Sequence, residues 1–327
     1  MRCLLGLRPE PAFLCGLGGK AAPAPQQQRE TMGSSMQIAY YPGCTIKASA
    51  HQHEGAALAV LRTLGVELRE MAEWNCCGVV HSLTSDNLIR HMAPVRVFAR
   101  LREQGENEVA TLCDMCFNTL ARANLHARQQ PEQIAAISVT SGDELSYDGG
   151  AGVLHLLQVL RDRVGLAAIR AHVRRPLRGL RVYPYYGCKL LRPAEVGIDD
   201  PETPAVLRDL MQALGATVVE GSLQTQCCGA YHVVDHAEIV AGRVAATADQ
   251  ASAGGAEAIV LSCPLCHYNF DTLQATSGAP LPVFYYTQLM GIAFGLEPDQ
   301  LGLEEQQIAL LPLLQRHNLV HVKGEQA

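Results

Sequence analysis

The chain has 327 residues, 48% hydrophobic and 18% charged, enough for one large or two medium globular domains, each burying a core. The net charge of −6 gives no reason to expect a nucleic-acid partner. The longest apolar windows, such as PVFYYTQLMGIAFGL, are too short and too polar at their ends to cross a bilayer, which excludes direct membrane insertion. Twelve cysteines is a high count, and two uses compete for them: disulfides in an oxidising compartment, or thiolates on metal.

In chain order, MRCLLGLRPEPAFLCGLGGK comes first. Pro9, Glu10 and Pro11 interrupt it before a continuous apolar stretch forms, and AAPAPQQQRE reads as linker. Residues 1–35 are therefore expected to be a disordered extension, with a degenerate signal peptide as the lesser alternative. Without export the location is cytoplasmic, disulfides are disfavoured and metal is favoured. The first convincing strand, MQIAYYPG, begins at Met36. A Gly-Cys turn follows it, then the amphipathic helix EGAALAVLRTLG and a second strand, VELRE. After the turn CCGVVH comes the helix SDNLIRHMAPVRVFARLREQG. The third strand, VATLC, runs into Cys-x-x-Cys, and a helix leaves from there.

The same order then repeats. IAYYPGCTIK matches RVYPYYGCKL, CCGVVH matches CCGAYH, and EVATLCDMCFNTL matches AIVLSCPLCHYNF. VLHLLQVLRDRVGL matches VFYYTQLMGIAFGL, pairing Gln158 with Gln288 and Gly165 with Gly295. The period is domain-sized. The expected organisation is a first unit at 36–172, an Arg-rich linker at 173–180, a second unit at 181–296 and a helical tail at 297–327. Strands alternating with helices predict an α/β fold: two tandem pseudo-symmetric βαβ units with Rossmann-like parallel sheets. The linker reads as a solvated basic connector. In such sheets, sites form beyond the carboxyl ends of the strands, so the cysteines of each unit should converge on one sheet edge.

Ten cysteines form two sets of five: Cys44, Cys76, Cys77, Cys113 and Cys116, and then Cys188, Cys227, Cys228, Cys263 and Cys266. In the first set, 31 residues separate Cys44 from Cys76 and 35 separate Cys77 from Cys113; in the second the gaps are 38 and 34. Zinc takes four ligands, usually as paired knuckles, and an ordinary cubane cluster also takes four. One Cys-x-x-Cys, one vicinal pair and one single cysteine leave a sulfur over. Five soft thiolates favour an iron–sulfur cluster over zinc, and both over metal-free dithiols. Helix N-termini at Cys113 and Cys263 suit a negatively charged cluster, and Gly78 and Gly229 let backbone approach it. Lys47, Lys189 and Arg192 either offset its charge or are solvated.

This pattern, present twice from about Gln37 to Leu296, resembles the CCG-domain family, and its two-copy form resembles the catalytic HdrB component of heterodisulfide reductase. The resemblance implies two noncubane 4Fe–4S clusters with all ten motif cysteines as ligands. It implies an oxidoreductase acting on sulfur groups, which reduces or forms a disulfide in two one-electron steps between the clusters. The implied partners are a ferredoxin-type HdrC-like component, a flavoprotein HdrA-like component and a disulfide or protein-bound thiol substrate. The alternative is an electron-relay subunit of a respiratory succinate or 2-hydroxy-acid dehydrogenase complex, and a lower one a zinc-stabilised scaffold. No ferredoxin cysteine run and no Gly-x-Gly-x-x-Gly occurs, so electrons must arrive from another polypeptide. His81 and His232 occupy equivalent places and are candidate catalytic proton donors, against the plainer reading of locally bonded or solvated histidines. Tyr40, Tyr41, Tyr185 and Tyr186 read as packing around the cysteines with a polar tip.

Overall fold

A computed structural model describes residues 35–79, 89–141, 147–274 and 280–320. The expected N-terminal extension and His81 lie outside the described residues.

The first half opens with β1 (Met36–Tyr40), α1 (Cys44–Ser49), α2 (His51–Thr63) and β2 (Val66–Glu70). After the cysteine turn come α3 (Ile89–Glu103), β3 (Glu108–Thr111), α4 (Asp114–Gln129) and α5 (Pro131–Ser141). It closes with β4 (Gly152–His155) and α6 (Leu156–Gln158), which widens into a π-helical turn over Val159–Val164 before α7 (Leu166–His172). The second half runs through β5 (Arg181–Pro184), α8 (Val206–Ala213), β6 (Thr217–Val218), α9 (Ala237–Ala253), β7 (Ala258–Leu261), α10 (Pro264–Leu273), β8 (Val283–Tyr285) and α11 (Tyr286–Phe294). A 3₁₀ turn at Pro298–Leu301 and α12 (Leu311–Arg316) follow.

Both sheets are parallel and share one strand order, β2-β1-β3-β4 and β6-β5-β7-β8. The central strand β7, AIVL, is buried along its whole length, as a parallel strand covered on both faces by helices should be. Strand β2 sits at an edge and buries only Val66. Each half has a fourth strand beyond the three read from the sequence. It is short, at four residues in β4 and three in β8, and it runs straight into a helix. The matched glutamines close that corner: Gln158 Oε1 accepts from the His155 N–H at 2.9 Å, and Gln288 Oε1 from the Tyr285 N–H at 3.0 Å. These capping boxes start α6 and α11.

The strand order reverses direction between β1 and β3, and again between β5 and β7. At such a switch point the adjacent carboxyl ends leave a crevice. The halves share one continuous apolar core. Polar contacts join them too: His53 Nδ1 lies 2.8 Å from Thr287 Oγ1, and Asn118 Nδ2 donates to the Lys189 and Arg192 carbonyls at 2.8 and 2.7 Å. The linker arginines Arg174, Arg175 and Arg178 are exposed as expected, but Leu177 and Leu180 are fully buried, so the connector is packed rather than merely solvated. Among the described residues no helix is long and apolar enough to cross a membrane.

Candidate iron–sulfur sites

Each cysteine is placed by a strand end. In the first half the chain leaves β1 through Gly43, whose φ of 75° places it in the left-handed region. Cys44 then opens α1. A Cβ on Gly43 would lie 2.7 Å from Cys116 Sγ, so this position must be glycine for the backbone to pass the thiol. Cys113, extended at φ −98° and ψ 119°, caps α4, and Cys116 follows inside its first turn. The free N–H groups of that turn favour negative charge on the sulfurs. The vicinal pair follows β2, and Cys76 Sγ lies 3.6 Å from Cys44 Sγ. Hydrogen bonds from Cys116 and Cys76 hold the Cys77 thiol well below its usual range.

The second half repeats this construction. Gly187 has φ 64°, and a Cβ there would meet Cys266 Sγ at 3.4 Å. Cys263 caps α10, Cys266 Sγ lies 3.4 Å from Cys228 Sγ, and Asn269 Nδ2 donates to Cys228 Sγ at 3.4 Å. The Gly229 N–H donates to Cys227 Sγ at 3.3 Å from a left-handed turn at φ 87°. Hydrogen bonds from Cys188 and Cys228 hold the Cys227 thiol well below its usual range. All five thiols of this set line one small cavity of about 20 Å³, together with Asp114 and Met115 from the first half.

Two of the four tyrosines do the same job twice. Tyr41 Oη donates to the Asn75 carbonyl at 2.8 Å and Tyr185 Oη to the Gln226 carbonyl at 2.6 Å. Those carbonyls belong to the residues just before the two vicinal pairs, so each tyrosine ties a strand end to its CCG turn. Burial pushes both phenols up, and the charges of the surrounding thiols push them further.

The two sets meet where the halves join. Ser262 Oγ donates to Asp114 Oδ2 at 3.1 Å, and the buried His155 Nε2 lies 3.1 Å from Asp114 Oδ1. Cys113 and Asp114 are close enough for their charges to help raise Cys263, after burial. Tyr231 Oη lies 4.0 Å from Met115 Sδ, and charges from both cysteine sets reach it. Sequence reasoning missed Tyr231 because its counterpart is Val80, so the repeat carries no tyrosine signal there. It missed the Asp114–His155–Ser262 group as well, since three residues so far apart in the chain share no motif. Its candidate His232 is exposed on the 3₁₀ turn that delivers Tyr231, with its ring 6.1 Å from that of His236.

The residues fit an iron–sulfur group. Six of the ten thiols are buried, Cys227 and Cys228 accept from N–H donors, and the backbone before each single cysteine is opened by a glycine. Among the described residues no three His, Cys, Asp or Glu side chains converge on one ion position; the thiols instead form close pairs, Cys44 with Cys76 and Cys228 with Cys266.

The model of the cysteine-rich domain family, CCG, matches residues 38–121 and 182–271. The chain belongs to this family. It is 33% identical over 83% of its length to the 8-methylmenaquinol:fumarate reductase membrane anchor subunit of Wolinella succinogenes, covering 97% of that protein. It is 28% identical over 85% of its length to the B component of a ferredoxin/F420H2-dependent CoB-CoM heterodisulfide reductase of Methanosarcina acetivorans, covering 95% of it. A protein of Archaeoglobus profundus described as similar to the same heterodisulfide reductase component is 26% identical over 80% of the chain and covered to 91%. A solved hypothetical protein from Helicobacter pylori shares the fold, with a TM-score of 0.68 at 11% identity over 84% of this chain; the chain spans about half of that protein, 52%.

Proposed function

We propose that this chain is the iron–sulfur subunit of a cytoplasmic heterodisulfide reductase-type complex. Each set of five cysteines holds one noncubane 4Fe–4S cluster, and each cluster supplies one-electron chemistry to one sulfur of a disulfide. The observation that carries this reading is the duplicated site: two five-thiol sets, built the same way at two switch points, meeting at one interface. A disulfide has two sulfurs, and its reduction to two thiols takes two electrons and two protons. The electrons come from a ferredoxin-type subunit and a flavoprotein subunit. His232, exposed to solvent, and His81 are the proposed proton donors. Tyr41 and Tyr185 hold the CCG turns in place, Asn269 and the Gly229 N–H stabilise thiolate charge, and Tyr231 and Met115 form the wall between the sets.

The test is disulfide turnover by the anaerobic chain with a viologen donor. Turnover that falls by about 10²–10⁴ in His232→Gln at unchanged iron content supports both the reaction and the proton role. Iron-loaded protein that accepts electrons but turns over no disulfide supports the second reading, an electron relay in a respiratory complex. The fumarate reductase relative, 33% identical over most of the chain, is the observation that favours that reading.

A further inference from the structure

The two sites differ in charge although their cysteines match. Lys189, which follows Cys188, lines the cavity of the second cysteine set, with its Nζ 5.7 Å over the Tyr231 ring. Its backbone is fixed there, because Asn118 Nδ2 donates to the Lys189 carbonyl at 2.8 Å. The residue that follows Cys44 in the first set is Thr45. Arg243 is a second cation at the same site: its Nη1 donates to the Cys227 carbonyl at 3.2 Å. Counted back from the Cys-x-x-Cys, the counterpart of Arg243 is Ala93. The two also correspond in space, since each faces the glycine of its own CCG turn. A Cβ on Gly229 would meet Arg243 Cδ at 3.4 Å, and one on Gly78 would meet Ala93 Cβ at 2.9 Å.

Both charges act on sulfur. The hydrogen bond with Cys227, and then burial, push the Cys188 thiol up, and the Lys189 charge works against them in favour of the thiolate. At Cys227 the Arg243 charge adds to the hydrogen bonds from Cys188 and Cys228 that hold that thiol low. Lys47 gives the first set no equal help, because its ammonium is held between the carboxylates of Glu54 and Glu70, at 2.9 and 2.7 Å. Other neighbours do not separate the sites. Asp114 lies between Cys113 and Cys116 in the chain and lines the cavity of the second set, so its charge bears on both. Both CCG glycines are left-handed, at φ 75° and 87°, so the two turns share one backbone form. Water favours charge at the exposed Cys44 and Cys76, but Cys188 and Cys227 are only partly covered, so solvent reaches both sites while Lys189 and Arg243 act on one.

We propose that Lys189 and Arg243 give the second cysteine set the higher reduction potential of the two, so that the first electron entering the chain is held there. The inference rests on the iron–sulfur reading above and adds the order in which the two sites are reduced. Reduction adds one negative charge to a site and moves no proton; the donor loses one electron. A nearby cation stabilises the reduced form and raises the potential, and net charge beside the sulfurs is one of the levers that set it. Lys189 and Arg243 are positioning residues in this account: they tune the sulfurs and bind no iron.

The test is a redox titration of the anaerobically reconstituted full chain with dithionite, followed by EPR and optical absorption. Cys77→Ser and Cys228→Ser assign each signal to its site. The second site should be reduced first, with at least about tenfold preference, or about 59 mV for one electron. Lys189→Met keeps the stem and removes the charge, so it should lower the second site's potential by about the same amount and leave the first site's unchanged. Lys189→Arg should restore it. Arg243 is exposed, so Arg243→Gln should fold normally and shift the second site in the same direction by less, because water screens its charge. Equal potentials, a higher first-site potential, or an equal shift of both sites in Lys189→Met overturns the proposal. A second measurement needs no iron: alkylation of the metal-free chain by anionic iodoacetate and neutral iodoacetamide. The rate ratio of the two reagents should be about threefold higher at Cys188 than at Cys44, and Lys189→Met should remove the excess. Equal ratios overturn the proposal whatever the metal content. Stoichiometric zinc in place of iron overturns the electron order together with the iron–sulfur reading, even where the alkylation excess is present. Ordered potentials without disulfide turnover support the proposal and count against the disulfide-acting reading alone, so the two fail separately.

Discussion

The two halves carry the same cysteines on the same strand order, yet they cover them differently. In the first half Cys44 and Cys76 are exposed; in the second their counterparts Cys188 and Cys227 are only partly so. The cause is visible as a spacing. Between the single cysteine and the vicinal pair the second half has 38 residues against 31, and the extra length lies between Cys188 and α8. That segment forms a strap anchored beside the second CCG turn. Arg192 ties it down, its guanidinium donating to the Thr225 carbonyl at 3.0 Å, the Pro201 carbonyl at 2.7 Å and Glu202 Oε1 at 2.8 Å. Asp199 caps its far end by accepting from the Ala205 and Val206 N–H groups, both at 2.7 Å. The equivalent stretch of the first half is spent on α1 and α2, where Lys47 bridges Glu54 and Glu70 at 2.9 and 2.7 Å. Duplication kept the cysteines and their strand ends; the surface over them was free to diverge.

The largest expected effect tests whether the halves are independent. Cys77→Ser and Cys228→Ser should each lose about half of the bound iron and leave the other site's spectrum intact, since each set is complete within its own unit. Loss of all iron from either variant would show one shared centre. A smaller effect tests the strap. Exposure to air or a chelator should strip the first site several-fold faster than the second, read as iron release from the two single-site variants. Arg192→Ala should bring the second site's rate towards the first. Equal rates in the unaltered chain would remove the functional meaning of the strap.

The two glycines before the single cysteines sharpen the comparison further. Alanine at either must hold a left-handed backbone, which costs about 1–2 kcal/mol. At Gly43 the new Cβ also meets Cys116 Sγ at 2.7 Å, whereas at Gly187 the contact with Cys266 Sγ is an ordinary 3.4 Å. Gly43→Ala should therefore lower both Tm and iron content, and Gly187→Ala mainly Tm; iron loss of equal size in both would contradict the geometry. The last effect, read as a pH slope rather than a change at neutral pH, is at the joint between the halves. His53 is fully buried, stacked on Tyr285 at 4.1 Å, and burial first and then His155 and His267 push it from 6.5 down to about 3. Below pH 6.5 the unfolded chain takes up a proton that the folded chain refuses until about pH 3, so stability should fall on acidification across that window, by up to about 1.4 kcal/mol per pH unit. Denaturant melts of His53→Gln should show a shallower acid slope than the unaltered chain; an unchanged slope would place the acid sensitivity elsewhere.

Much of this was legible in the sequence. The βαβ alternation, the duplication and the strand-end cysteines follow from periodicity and motif spacing, because apolar runs and Gly-Cys turns are local signals. The fourth strands were not legible, since the three residues VFY running into a helix look like the helix itself. The matched Gln158 and Gln288 were visible as a repeat, but their capping role needs the corner they close. Tyr231, Asp114 and Ser262 acquire a role only when the two halves pack together, and no pattern within either half encodes that contact. The strap was present as a difference in spacing, 38 against 31, but its anchoring beside the CCG turn depends on where Arg192 reaches.

The most direct test of the central claim is iron quantified per folded chain in anaerobically reconstituted protein, with Mössbauer spectra of the unaltered chain and of the two single-site variants. Two five-cysteine sites that each hold a 4Fe–4S cluster predict about eight irons in the unaltered chain and about four in Cys77→Ser or Cys228→Ser, with additive spectra. Stoichiometric zinc without iron under the same conditions, or a single cluster lost by either variant, would contradict it.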